Sequence, residues 1–158
     1  MFPFVLRHFL ILSLLLGVSR LTAADLPAAP APTLTGWDRV SVAPMKTSIY
    51  VGSVALTTGV FERTGSKLTT TYEAKVFPWF FWGEKGSITI TLSDANLASL
   101  AKGETAEFTG EATSHKGRPR TVSGRAQPAD AVSGKIKVRI GADGYELIFN
   151  STYRFGAK

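Results

Sequence analysis

The sequence of 158 residues contains no cysteine, only two histidines and no apolar run long enough to cross a bilayer. The absence of cysteine excludes disulfides, thiol catalysis and sites in which thiolates bind a metal. One histidine, His8, lies in the N-terminal segment described below, and the other, His115, lies in a predicted surface turn. Walker-type and dinucleotide-binding glycine motifs are also absent from the sequence. We therefore expect no cofactor and no enzymatic activity.

Residues 1–24 have the order of features that is typical of a secretory signal peptide. A charged start with Arg7 precedes an apolar run over residues 9–18, and small residues end at Ala24. Because the apolar run is shorter than the ~20 residues that span a bilayer, we predict cleavage after Ala24 or one residue earlier. An uncleaved anchor is the alternative. We expect the mature protein in the periplasm or in the extracellular medium.

Residues 25–36 are rich in alanine and proline, a composition that is typical of an extended or disordered leader. A single domain is predicted over residues 37–156. Cleavage of the signal peptide would remove Arg7 and Arg20, so the net charge would fall from +6 to +4. No aromatic residues alternate with the basic ones as a base-stacking surface requires, and we expect no binding to nucleic acid.

Alternating apolar and polar residues predict antiparallel strands along most of the domain. A hairpin turn at residues 65–66 that pairs Thr64 with Lys67 would place Gly59 opposite Tyr72. The residues before Val60 include Gly59 and are expected to bend the strand or form a bulge.

The dipeptide Asp143-Gly144 is the strongest hairpin signal, because a two-residue type I′ turn needs positive φ at both central positions. Closing this turn pairs Ile140 with Leu147, so that apolar residues face each other. One short helix is predicted over residues 93–103, which begin with a capping serine and end with a glycine.

About eight antiparallel strands and one short helix define an all-β domain, which we expect to close into a barrel, with a sandwich as the alternative. A signal peptide, eight strands and a short helix resemble, in shape only, exported lipid-binding barrels such as the polyisoprenoid-binding family and the lipocalins. The lipocalin motif Gly-x-Trp is not present, since Gly36 and Trp37 are adjacent. The resemblance therefore implies no site residues.

The segment from Val76 to Gly83 is the most aromatic part of the chain, and its apolar residues would fall on both faces of a strand. Pro78 lacks an amide proton, so the segment is expected at an edge, a bulge or a crossover. One interpretation is that it plugs the core or is covered by the helix. The other is that it forms a ligand-binding or sticky surface. The candidate ligand-binding residues are Phe77, Trp79, Phe80, Phe81 and Trp82.

Basic side chains are concentrated in one predicted hairpin and on the outer face of two strands that we expect to be neighbours. Such a surface could hold an anion or a partner, although outward lysine and arginine are also ordinary on strands with one buried face. The candidate residues are Lys116, Arg118, Arg120, Arg125, Lys135, Lys137 and Arg139. A turn that pairs Ala112 with Arg120 would set Glu107 opposite Arg125 as a cross-strand ion pair.

The sequence thus suggests an exported, non-catalytic domain that binds an apolar or amphipathic small molecule such as a lipid. The alternative is a structural or protein-interaction module of the cell envelope, which would use the aromatic segment or the basic residues to contact an envelope protein. The sequence does not indicate an oligomeric state.

Overall fold

The computed structural model describes residues 36–156. The predicted signal peptide and almost all of the predicted leader lie outside the described residues. Ten strands, one α-helix and one 3-10 turn at Phe80–Trp82 make up the described part. The strands are β1 Arg39–Val42, β2 Met45–Ile49, β3 Gly52–Thr58, β4 Phe61–Thr64, β5 Lys67–Phe77, β6 Glu84–Thr91, β7 Ala106–Ser114, β8 Pro119–Pro128, β9 Ser133–Ala142 and β10 Tyr145–Phe155, and the helix is α1 Asp94–Ala101.

The ten strand segments form a closed antiparallel barrel of eight strands, because two of the barrel strands each consist of two short segments. This confirms the predicted all-β class and the barrel. β1 and β2 together make one strand of the barrel, and β3 and β4 together make the next. Each of the remaining six segments is one strand of the barrel, and β10 closes the barrel by pairing with β1. Because each strand of the barrel pairs with the one that follows it in the sequence, all connections are local.

The predicted hairpin registers are mostly confirmed. Asp143 and Gly144 both have positive φ, and the turn between them pairs Ile140 with Leu147 as expected. Thr64 pairs with Lys67, also as expected. However, Thr58 rather than Gly59 lies opposite Tyr72, because β3 and β4 are separated by an extra residue that bulges out of the ladder.

One end of the barrel, called the closed end here, carries the turns at residues 65–66, 92–105 and 129–132. Helix α1 lies there and confirms the predicted helix. The Ser93 hydroxyl accepts a hydrogen bond from the Asn96 amide, and Gly103 ends the helix with φ of 84°. Leu97 and Leu100 are the buried residues of α1, and Leu100 contributes to the wall of the barrel interior.

Aromatic stacking completes the closed end. Trp37 precedes β1 and stacks on Phe155 at the end of β10, with ring centroids 4.4 Å apart. The barrel interior beyond these rings holds an apolar cavity of about 50 Å³. This volume is well below the roughly 150 Å³ that accommodates a benzene molecule in an engineered protein cavity. The middle of the barrel is therefore filled by its own side chains.

Candidate binding site at the open end of the barrel

The opposite end of the barrel, called the open end here, carries four turns. They comprise residues 50–51, 78–83, 115–118 and 143–144. No α-helix covers this end in the described part of the chain. The side chains that the sequence singled out as aromatic candidates all lie here.

The aromatic loop, defined as residues 77–82, is exposed. Strand β5 ends at Phe77, the Phe77-Pro78 peptide bond is cis, and a 3-10 turn follows over Phe80–Trp82. All five aromatic residues of the loop are between 40% and 74% exposed. The interpretation that the segment plugs the core or is covered by helix α1 is therefore wrong, since α1 lies at the closed end. The strand cannot continue through Pro78, which has no amide proton for the ladder.

The rings of the aromatic loop contact one another instead of the core. Trp79 lies 5.5 Å from Trp82 and 6.0 Å from Phe81 between ring centroids, and Phe81 lies 5.6 Å from Trp82. Phe77 contacts Phe80 edge to face at 5.8 Å. These distances fit favourable aromatic pairs, so the loop is ordered by its own rings.

A cavity of about 220 Å³ opens at this end of the barrel. Its wall is mostly aliphatic, and Trp82 joins the wall from the aromatic loop. Leu56, Ile88 and Ile140 separate it from the smaller interior cavity, since they line both. The aromatic loop therefore borders a space large enough for a ring or a short hydrocarbon segment, but smaller than most drug-sized sites.

Four polar residues also line this cavity and form what we call the Arg120 cluster. Arg120 Nη1 donates to Asp143 Oδ1 at 2.8 Å, and its Nη2 donates to Glu84 Oε2 at 3.1 Å. The Tyr72 hydroxyl donates to Glu84 Oε1 at 2.5 Å. The Arg120 side chain is only 9% exposed, and its ion pair with Glu84 is the most buried ion pair in the described residues.

The cluster holds each of its members in one charge state. Burial and the hydrogen bond to Glu84 raise the pKa of Tyr72. Burial opposes ionisation of Glu84, but hydrogen bonds from Arg120 and Tyr72 outweigh it and lower the pKa of Glu84. The hydrogen bond from Arg120 also lowers the pKa of Asp143. Near neutral pH the two carboxylates are ionised and the tyrosine is protonated.

Local backbone geometry positions the cluster. Tyr72 on β5 lies opposite Gly86 on β6. A Cβ atom at Gly86 would lie 2.8 Å from the Tyr72 ring and 2.0 Å from the Thr113 carbonyl oxygen. Glycine therefore lets the Tyr72 ring lie across β6 and reach Glu84. The fourth member, Asp143, lies in the type I′ turn between β9 and β10.

This cluster was not predicted from the sequence, and one of its residues was assigned to the wrong surface. Arg120 does not belong to the basic surface with which it was grouped, because its guanidinium points inward and is paired. The signal was present in the predicted register, since Arg120 opposite the inward Ala112 has the parity of buried Val122. Glu84 has the same parity as Ile88 and could have been found in the same way.

The other basic candidates lie at two places. Lys116 and Arg118 are exposed at the open end, where Arg118 Nη1 lies 3.9 Å from Asp143 Oδ2. The remaining four lie on the outer wall of β8 and β9, as predicted, and are Arg125, Lys135, Lys137 and Arg139. We call them the basic stripe.

The basic stripe places like charges side by side. Arg125 lies directly opposite Lys137, and Arg139 Nη1 donates to Glu146 Oε2 at 3.1 Å. Glu107 lies opposite Arg125 in the predicted register, but the two side chains form no ion pair in the described structure. The expected Glu107–Arg125 ion pair is therefore wrong, although its register is right.

A histidine site and a metal site are the two other possibilities among the described residues. His115 is exposed in the turn after β7, as predicted, with Nδ1 3.1 Å from the Lys85 carbonyl oxygen. Among residues 36–156, no three histidine, aspartate or glutamate side chains come together in a way that could hold a metal ion. Among the described residues, no helix combines the length and the apolar character needed to cross a membrane.

Comparison with known proteins adds no assignment. No protein family matches the chain, and neither curated proteins nor solved structures give a match. The geometry of the open end is therefore the basis for assigning a function.

Proposed function

We propose that this protein is an exported, non-catalytic binding domain for an amphipathic small molecule such as a lipid. The observation that carries the proposal is the mostly aliphatic cavity of about 220 Å³ at the open end, bordered by the exposed aromatic loop. The cavity would hold the apolar end of the molecule, and the rings of the loop would contact the part that remains outside. The predicted signal peptide supports export.

The size of the two cavities supports binding at the mouth rather than in the middle of the barrel. The interior cavity of about 50 Å³ has no room for a hydrocarbon chain. The open-end cavity has room for a short segment, and Trp82 in its wall offers a flat apolar surface. A ligand would therefore be held by one end.

The ionisation of the Arg120 cluster supports a non-catalytic role. An acid–base catalyst works best with a pKa near the operating pH. Here the pKa of Glu84 is lowered and the pKa of Tyr72 is raised, so both move away from neutrality. The paired cluster is better suited to fixing its own charged side chains in the cavity wall than to transferring protons.

Titration of the full chain with octanol, octanoate and octylamine, followed by tryptophan emission, tests the proposal. Saturable changes in emission are expected, because Trp82 lines the cavity. Ala74→Leu would fill part of the cavity and should weaken binding by about tenfold, the equivalent of roughly 1.4 kcal/mol. Thr71→Leu, on the outer face of the same strand, is the matched control. An emission that none of the three probes changes would contradict the proposal.

A second candidate function rests on the basic stripe. Like charges directly opposite each other destabilise a sheet, so the Arg125–Lys137 pair does not serve folding. We propose as the alternative that the stripe contacts an acidic envelope protein. Crosslinking in cells should then trap one stoichiometric partner with the native chain and none with Arg125→Gln/Lys137→Gln. Equal crosslinking by both would contradict it.

Export is tested by the N-terminus of the mature protein. Mass spectrometry of protein from the periplasm or the medium should find a chain that begins at Asp25 or Ala24. A cell-associated protein that still begins at Met1 would contradict cleavage.

A further inference from the structure

The exposed apolar side chains of the barrel are concentrated at one end. Among residues 36–156, nine large hydrophobic side chains are exposed, and only Val132 lies at the closed end. A soluble protein rarely exposes so many large apolar groups together without a binding role. The other eight surround the open end and are Tyr50, Val51, Phe77, Trp79, Phe80, Phe81, Trp82 and Tyr145.

These side chains project from turns instead of forming one flat face. Tyr50 is fully exposed at the turn between β2 and β3, and Phe80 and Phe81 are mostly exposed in the aromatic loop. The two turns are neighbours, since Ser53 pairs with Phe77. Separate projecting rings around a cavity mouth suit a soft surface that flows around them. A rigid protein partner would need a matching socket for each ring.

Positive charge accompanies the rings. Within three residues of the four turns, the open end has five basic side chains and three acidic ones, an excess of two positive charges. Asp143 and Glu84 are paired with Arg120. Just outside this zone, Arg139 is paired with Glu146, and Glu73 is paired with Lys75 and Lys85, so counting Arg139 and Glu73 as well leaves the excess at two. The basic side chains are Lys75, Lys85, Lys116, Arg118 and Arg120.

We propose that the open end of the barrel docks on the surface of an anionic phospholipid bilayer. The rings of Tyr50, Phe80 and Phe81 enter the head-group region, where amphipathic aromatic side chains are favoured. Lys116 and Arg118 contact lipid phosphates from the turn next to the aromatic loop, where the His115 amide donates to the Lys85 carbonyl oxygen. A second copy of the chain is the less suitable occupant, because two positively charged ends would repel each other.

Docking would also place the open-end cavity against the bilayer. An amphipathic ligand could then pass between membrane and cavity without crossing water. The docking proposal does not rest on this ligand, since it concerns the loops around the mouth. Ala74→Leu, which fills the cavity, should therefore leave vesicle binding unchanged. The two proposals can fail separately.

The three tryptophans provide a direct test with the full chain. Vesicles of phosphatidylcholine with about 30% phosphatidylglycerol, carrying brominated acyl chains, quench tryptophans that enter the bilayer. Trp79 and Trp82 lie at the open end, whereas Trp37 is buried at the closed end. We expect strong quenching of the native chain and a loss of it in Trp79→Phe/Trp82→Phe. This readout is specific to the barrel loops even if the N-terminal segment also binds lipid.

Two surface variants separate the contributions of rings and charge. Phe80→Ser/Phe81→Ser should lower the vesicle affinity about tenfold or more. Lys116→Gln/Arg118→Gln should lower it roughly fivefold per charge, and only for anionic vesicles. The matched charge control is Lys135→Gln/Lys137→Gln on the outer wall, which should retain the native affinity.

Three results would overturn the proposal. The first is no quenching by anionic vesicles, and the second is equal quenching of the native chain and the Phe80→Ser/Phe81→Ser variant. The third is a dimer in lipid-free sedimentation that buries Trp79 and Trp82, which would assign the open end to a second copy of the chain. Unchanged circular dichroism of the variants verifies that they are folded.

Discussion

The two ends of the barrel use the same kinds of residue in opposite ways. At the closed end, helix α1 buries its own Leu97 and Leu100, and Trp37 is buried where it stacks on Phe155. At the open end, the aromatic side chains face solvent, while an arginine and two carboxylates line the cavity. Since one end shows how this fold buries its apolar groups, the exposed rings at the other end are not required for packing. They are available for binding.

The largest expected effect contrasts buried and exposed apolar residues at the two ends. Leu97→Ala removes a fully buried side chain of α1 and should lower the free energy of unfolding by about 2–5 kcal/mol. Phe81→Ala at the open end should change it by no more than about 0.5 kcal/mol, since the ring is mostly exposed. Urea denaturation of both variants checks this. A similar loss in both would mean that the aromatic loop is part of the core.

A smaller effect is expected at the Arg120 cluster. Arg120→Met leaves the half-buried Glu84 without its cationic partner and should lower the free energy of unfolding by about 1–3 kcal/mol. Arg118→Met is the matched control, because Arg118 is well exposed and should change stability by less than about 0.5 kcal/mol. Equal thermal stability of the two variants would contradict the structural role of Arg120.

Acidification should weaken the open end in a defined direction. The pKa of Glu84 is lowered in the folded protein from its ordinary value of 4.5, and that of Asp143 is lowered from 3.8. The folded state therefore binds fewer protons, and the contribution of these carboxylates is fully present above about pH 4.5. It is lost as the pH falls through the lower folded values.

Comparison of the native chain with Glu84→Gln isolates this contribution. The difference in melting temperature between the two proteins should be constant near neutral pH and should shrink below pH 4.5. A difference that grows on acidification would reverse the sign of the pKa shift. Phe81→Ser should show no such pH dependence, because it carries no titratable group.

The sequence predicted the barrel well because its strands are joined locally. Alternation and the Asp143-Gly144 turn determine the pairing of β9 and β10 almost alone. The position of the bulge after Thr58 was predicted, but the residue opposite Tyr72 was not. An extra residue in a strand cannot be recognised from the alternation of apolar and polar residues. The predicted limits of the signal peptide and the domain remain predictions.

The candidate site was less accessible to sequence reasoning. An aromatic segment has the same composition whether it packs inside or projects outside, and only the three-dimensional position of α1 decides between these. Arg120 resembled its basic neighbours in the same hairpin, although its parity with Val122 placed it inside. Its partners are Glu84 at the start of β6 and Asp143 in the turn after β9, and the pairing of β6 to β9 as neighbouring strands brings them to the same end of the barrel.

Tryptophan accessibility in solution tests the difference between the two ends most directly. The native chain carries Trp37 at the closed end, 8% exposed, and Trp79 and Trp82 in the aromatic loop. Acrylamide should quench the native emission strongly, whereas Trp79→Phe/Trp82→Phe should retain a blue-shifted emission from Trp37 that acrylamide barely quenches. Weak quenching of the monomeric native chain, equal to that of the double variant, would contradict the exposed aromatic loop and with it the binding role of the open end.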